Sequence, residues 1–264
     1  MAKPDIRRQK ASFLSPFRDR GFHLIDVADT PIACWSTGWN EKGARMISFL
    51  RRNWYYVGGV LCIVLAVVLA ATWSDLGILR RLMLMNFMAL LVHQFEEYGW
   101  PGGFPAVFNI AWHPGGEGMP DRFPLNRRSA LFVNVLFAYP YYVLPILLPH
   151  QIWMGLAQAG FGMAQLVVHG VVINRKMRSV YNPGLFAVVF LHWPIGIYYI
   201  WYVVANGLVS WWTWPAAAVW LILGALMGVS LPVTRWFADR NATEAFSDKE
   251  MARFHVRERI GRQS

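Results

Sequence analysis

The chain has 264 residues, 56% of them hydrophobic, with 14 Trp, 17 Phe, 10 Tyr and a formal charge of +10. That composition is too apolar for an ordinary soluble domain and indicates an all-α, polytopic integral membrane protein. The positive excess sits in tails and loops beside apolar segments, so membrane lipids are the expected partners and nucleic acid is not.

The first 52 residues form a basic flank containing Cys34; Cys62 lies in the first apolar run, and the two make neither a metal-ligand pattern nor a disulfide framework. That run begins near Trp54, too far in for a cleavable signal peptide. Six segments are long and apolar enough to span: Trp54 to Trp73, Leu82 to Tyr98, Ser129 to Leu148, Gln151 to Ile173, Leu185 to Ala205 and Trp211 to Leu231. Pro140, Pro145 and Pro194 predict kinks in the third and fifth. The expected organisation is a flank over 1–52, a transmembrane domain over 53–231 and a charged, surface-associated tail over 232–264, in which Phe246 to Ile260 is a candidate interfacial helix.

Arg45, Arg51 and Arg52 precede the first predicted helix, Arg122, Arg127 and Arg128 follow the second, Arg175, Lys176 and Arg178 follow the fourth, and Arg235 and Arg240 follow the sixth. Only Arg80 and Arg81 lie on the other side. The positive-inside rule therefore predicts both termini in the cytoplasm.

The second helix ends in His93-Gln-Phe-Glu96-Glu97. At about 100° per residue, Glu96 and Glu97 flank His93 on one helix face. Charges inside a spanning helix cost roughly 2.5–3.5 kcal/mol each on insertion scales, less near the ends. Such a cluster is therefore expected to have a function, as ligands to a divalent metal or as a general base on water.

The predicted topology brings other polar residues to the same level: Asn134 one turn inside the third helix, His169 at the end of the fourth and His192 about two turns into the fifth, behind Tyr181-Asn182-Pro183-Gly184. Asn134, Asn182 and His192 are expected as supports, and Asn182 also as a helix cap. After Gly99-Trp-Pro-Gly-Gly-Phe-Pro105, an apolar stretch too short to span predicts an interfacial or re-entrant element, from which Asn109 and His113 would reach the site.

His93-x-x-Glu96-Glu97, then Pro101-Gly-Gly-Phe-Pro105, His169 and Asn182-Pro183-Gly184, in that order, resembles the multi-span bacterial membrane proteins named for their HXXEE motif. The resemblance covers Asn53 to Leu231 and implies a place in the bacterial inner membrane, without an established reaction. The adjacent glutamates also resemble, more distantly, the start of the intramembrane prenyl-protein proteases, whose arginine three residues after the second glutamate is Trp100 here.

The first expectation is a metal-assisted hydrolase acting on an amphipathic or lipidic substrate. His93, one of Glu96 or Glu97, and His169 would hold Zn²⁺ or Fe²⁺, the remaining glutamate being the catalytic base. Metal-free glutamate catalysis and a transporter that binds cations or protons stand as alternatives. The sequence leaves the oligomeric state open.

Overall fold

The computed structural model describes residues 31–113 and 118–261, with the side chains of 31–41, 44 and 261 excepted. Most of the basic flank lies outside the described residues, and the side chain of Cys34 is among those excepted. Contacts divide the chain at Met46, and the bundle is built from Ile47 onward.

Among the described residues, six helices are long and apolar enough to cross a membrane: α1 Arg45–Ala71, α2 Ile78–Tyr98, α3 Arg127–Leu147, α4 Ile152–Met177, α5 Leu185–Ala205 and α6 Thr213–Trp236. No strand occurs among the described residues. The main departure from expectation is α1, whose spanning stretch starts at Arg45 within a helix that runs Pro31–Ala71, because nothing between Arg45 and Trp54 breaks a helix.

Among the six, α2 is the least apolar and the most buried, whereas α1 is the most apolar and the least buried. That inversion is what a lipid surround demands. Outward faces must match hydrocarbon, and polar side chains are tolerated only where neighbouring helices satisfy them. Asn86 of α2 donates to the Gln158 carbonyl of α4 at 3.3 Å, and Gln158 donates to the Met83 and Tyr142 carbonyls at 3.2 and 2.8 Å. These bonds tie α2, α3 and α4 together.

Four of the helices widen into π-type turns near their arginine-rich halves: Phe132–Phe137, Leu166–Ile173, Val188–His192 and Gly224–Ser230. Three have a direct cause. A proline ring collides with the carbonyl four residues before it, and for Pro140, Pro194 and Pro232 that carbonyl belongs to Leu136, Phe190 and Gly228, each within a widened stretch. Widening relieves the collision without breaking the helix.

The core has two parts. One, including Met83, Leu91, Tyr142, Leu156 and Tyr199, fills the arginine-poor half of the bundle. The other, at the arginine-rich end, joins Trp54 and Tyr98 to Phe104, Val107 and Ile173, and also takes in Phe246 and Val256 from the tail.

The charged tail thus does more than lie on the surface. It forms two short helices, α7 Asp248–Ala252 and α8 Val256–Gly261, separated by a kink where Phe254 and His255 are left-handed, φ 62° and 49°. Arg127 bonds Glu250 and donates to the Ala245 carbonyl, while Arg51 bonds Glu244. Arg253 donates to the Tyr98 and Gly99 carbonyls at 2.6 and 3.0 Å, satisfying acceptors left open where α2 ends.

Candidate metal centre

α2 delivers His93 and Glu97 to its interior face, one turn apart, and the widened turn of α4 delivers His169 opposite them. Glu97 Oε1 lies 3.5 Å from His93 Nε2 and 3.3 Å from His169 Nε2. All three residues are buried.

The other nitrogen of each ring determines what these atoms present. His93 Nδ1 is 2.9 Å from the Gly184 carbonyl, which can only accept, so Nδ1 carries the hydrogen. His169 Nδ1 is 2.6 Å from Asn182 Oδ1. The orientation of that amide is fixed because its nitrogen donates to the His169 carbonyl and to Asn174 Oδ1, both at 2.7 Å. His169 Nδ1 therefore also carries a hydrogen. Both imidazoles are left aiming Nε2 at the same carboxylate oxygen, and three lone pairs converging in a buried site require a cation among them. A divalent metal or a proton meets that need. The three residues each offer one ligand atom within 4.8 Å of the others.

Gly184 is indispensable to this geometry. Its φ of 104° is left-handed, and a Cβ there would lie 2.6 Å from His169 Cε1 and 2.8 Å from His93 Cε1. The turn that sequence reading identified as a helix start is therefore also the wall against which both rings rest. Phe104 covers His169 from the other side, its ring stacked at 5.6 Å and 29°.

Glu96 is placed differently from its expected role as base. Its carboxylate points to the start of α5, accepting from the Phe186 and Ala187 backbone N–H groups at 3.1 and 2.9 Å and from the Tyr181 hydroxyl at 2.7 Å. Burial and this bond raise the Tyr181 pKa, keeping the hydroxyl a donor. Glu96 thus caps α5 from a different helix, taking the capping role expected of Asn182, whose side chain turns to His169 instead.

Of the other expected supports, His192 is fully buried, with Nδ1 2.7 Å from Asn86 Oδ1 and its ring 6.0 Å from that of His93. Its Nε2 has no hydrogen-bond partner. Asn134 donates to the Ala130 carbonyl of its own helix at 2.9 Å, and its side chain does not bond the triad. Asn109 is a correction: its side chain bonds the Pro120 and Leu125 carbonyls and the Leu125 N–H, stapling the 118–126 loop. His113 packs at a tilt against Phe108, ring centroids 4.8 Å apart, its pKa lowered by burial and by Lys176. The supports that sequence reading missed are Asn174 and Tyr181, short-range polar neighbours whose roles depend on the fold.

A cavity of about 400 Å³ adjoins the triad, bounded by α2, α3, α4, α6 and the 104–112 segment. Apart from His93, Glu97, His169, Asn134, Gln165 and the Tyr98 hydroxyl, its lining is apolar.

Comparison with curated proteins and with solved structures gives no significant match to this chain. Residues 84–199, the stretch from α2 through most of α5 that holds the triad and all its supports, match the family model described as "Protein of unknown function with HXXEE motif".

Proposed function

We propose that the protein is a membrane-embedded, metal-assisted hydrolase of the bacterial inner membrane, acting on an amphipathic or lipidic substrate at the cytoplasmic side. His93, Glu97 and His169 would bind one Zn²⁺ or Fe²⁺. The observation that carries the reading is the pair of imidazoles held as Nδ1–H tautomers by Gly184 and Asn182, each presenting Nε2 to one carboxylate. Ligating histidines are oriented in this way by hydrogen bonds from their second nitrogen.

A divalent ion bound there would supply Lewis acidity and make water a nucleophile near neutral pH. The chain's own residues supply the rest. The histidines contribute two neutral nitrogens on a fixed wall, and Glu97 contributes the negative charge and is the carboxylate at hand to accept a proton from water. Glu96, engaged by three donors, holds α5 and hence Gly184 in place. Phe104 and the apolar cavity keep bulk water away.

Elemental analysis of the detergent-purified protein, paired with hydrolysis of p-nitrophenyl decanoate, tests the reading. Stoichiometric zinc or iron and ester cleavage, both lost in His93→Ala, are expected. Metal-free wild type with hydrolysis intact would overturn it in favour of a proton within the triad and metal-free acid–base catalysis. Gradient-driven cation flux in proteoliposomes, without hydrolysis, would make the protein a carrier.

A further inference from the structure

The cavity extends well beyond what a metal and a water need. Its polar lining stays near the triad, while the end toward mid-membrane is made by Leu90, Ala138, Phe161 and Leu221. On α4, Phe161 lies eight residues before His169, a depth of about 12 Å at 1.5 Å per residue, which suits an extended aliphatic chain on the order of ten carbons.

One side of this space faces lipid. α4 and α6 pack together mainly between Ile152–Gln165 and Thr213–Leu223, with a Cβ on Gly160 just 3.5 Å from Leu221. Toward the arginine-rich end they part. Ala164 on α4 and Ile222 and Ala225 on α6 line the cavity and are at the same time exposed on the flank of the bundle, within the spanning segments. The arginine-rich end is walled by Phe104, Phe108 and Trp112. The 102–103 turn before that wall is backed by Arg253, whose carbonyl would lie 2.6 Å from a Cβ on Gly103.

We infer that the gap between α4 and α6 is a lateral portal through which a bilayer-resident amphiphile inserts one aliphatic chain, with Phe161 as the floor and the chain's first polar linkage beside His93, Glu97 and His169. Ala164 and Ala225 set the width of the portal, and Phe161 sets chain length. The position of the linkage rests on the proposed metal centre, whereas binding of the chain does not.

The test uses the full chain in liposomes with a diazirine-bearing decanoic acid, mapping cross-links by peptide mass spectrometry. Labelling is expected on peptides containing Val133–Ala138, Phe161–Gln165 and Leu221–Val229, competed by unlabelled decanoic acid and reduced several-fold in Ala164→Trp and Ala225→Trp. Phe161→Ala should raise the potency of stearic acid relative to lauric acid as competitor, a change of order that unfolding does not produce. Labelling spread over the outer faces of α1 and α5 without competition, or unaltered in both tryptophan variants, would overturn the portal. His169→Ala separates the two readings: it should lose the metal and keep the cross-link pattern. Absence of metal in the wild type would sink the metal centre while leaving the portal standing.

Discussion

Glu96 and Glu97 are adjacent in the chain, yet about 100° of helix rotation divides their tasks. Glu97 faces His169 on α4, and Glu96 faces the open N-terminus of α5. Glu97→Gln is therefore expected to lose most of the metal, because an amide is a poor ligand and removes the charge that draws a cation into a buried site. Glu96→Gln should retain metal while weakening the α5 cap, costing about 1–3 kcal/mol as charge-assisted bonds to backbone N–H groups become neutral ones. Elemental analysis beside thermal unfolding in detergent reads both. Metal loss in Glu96→Gln with full occupancy in Glu97→Gln would reverse the assignment. Asn182 would act on a bound metal only through His169, so Asn182→Ala should lower metal affinity roughly 10- to 100-fold, as loss of such a partner does elsewhere. Competition with a chelator measures this, and unchanged affinity would show that Asn182 merely packs.

At the scale of elements, the helices were legible because they depend on local signals: long apolar runs and the Pro–Gly breaks after Tyr98. The convergence of His93, Glu97 and His169 followed from topology plus helix periodicity. What stayed hidden depends on partners distant in sequence. No spacing rule says that Glu96 will cap a helix 90 residues downstream, or that Asn109 will turn away toward the 118–126 loop. The tail's two helices overlap the expected Phe246 to Ile260, but its attachment to the bundle was hidden for a related reason. Its charges suggest solvation, but Glu250 bonds Arg127 and Arg253 donates to the Tyr98 and Gly99 carbonyls, and with them Phe246 and Val256 join the core. Arg253 holds the turn between α2 and the 104–112 segment, so Arg253→Ala should speed amide hydrogen exchange across 99–112 while leaving α4 protected. Equal protection in both proteins would mean that Arg253 does not hold that turn.

For the whole molecule, the orientation in the membrane decides which leaflet the portal meets. Arginines and lysines gather at one end of the bundle, and so do the triad, the tail and the ion pairs of Arg51 and Arg127. The opposite end carries Trp211, 85% exposed, with Trp212, Trp214 and Trp73 also exposed, an aromatic belt with few charges. Basic residues resist translocation, so the arginine-rich end is expected in the cytoplasm, with both termini there and an even number of crossings between them. Arg51, Arg122 and Arg127 are paired with Glu244, Asp121 and Glu250, but acidic residues count little in this rule, and the asymmetry against Arg80 and Arg81 stands. Alkaline-phosphatase fusions after Pro149 and after Asn206 should be active, as sites outside the cell, while fusions after Arg178 and at the C-terminus should be silent. The reverse pattern at all four would turn the bundle over, placing the triad and the α4–α6 gap in the outer leaflet and changing which lipids can reach them.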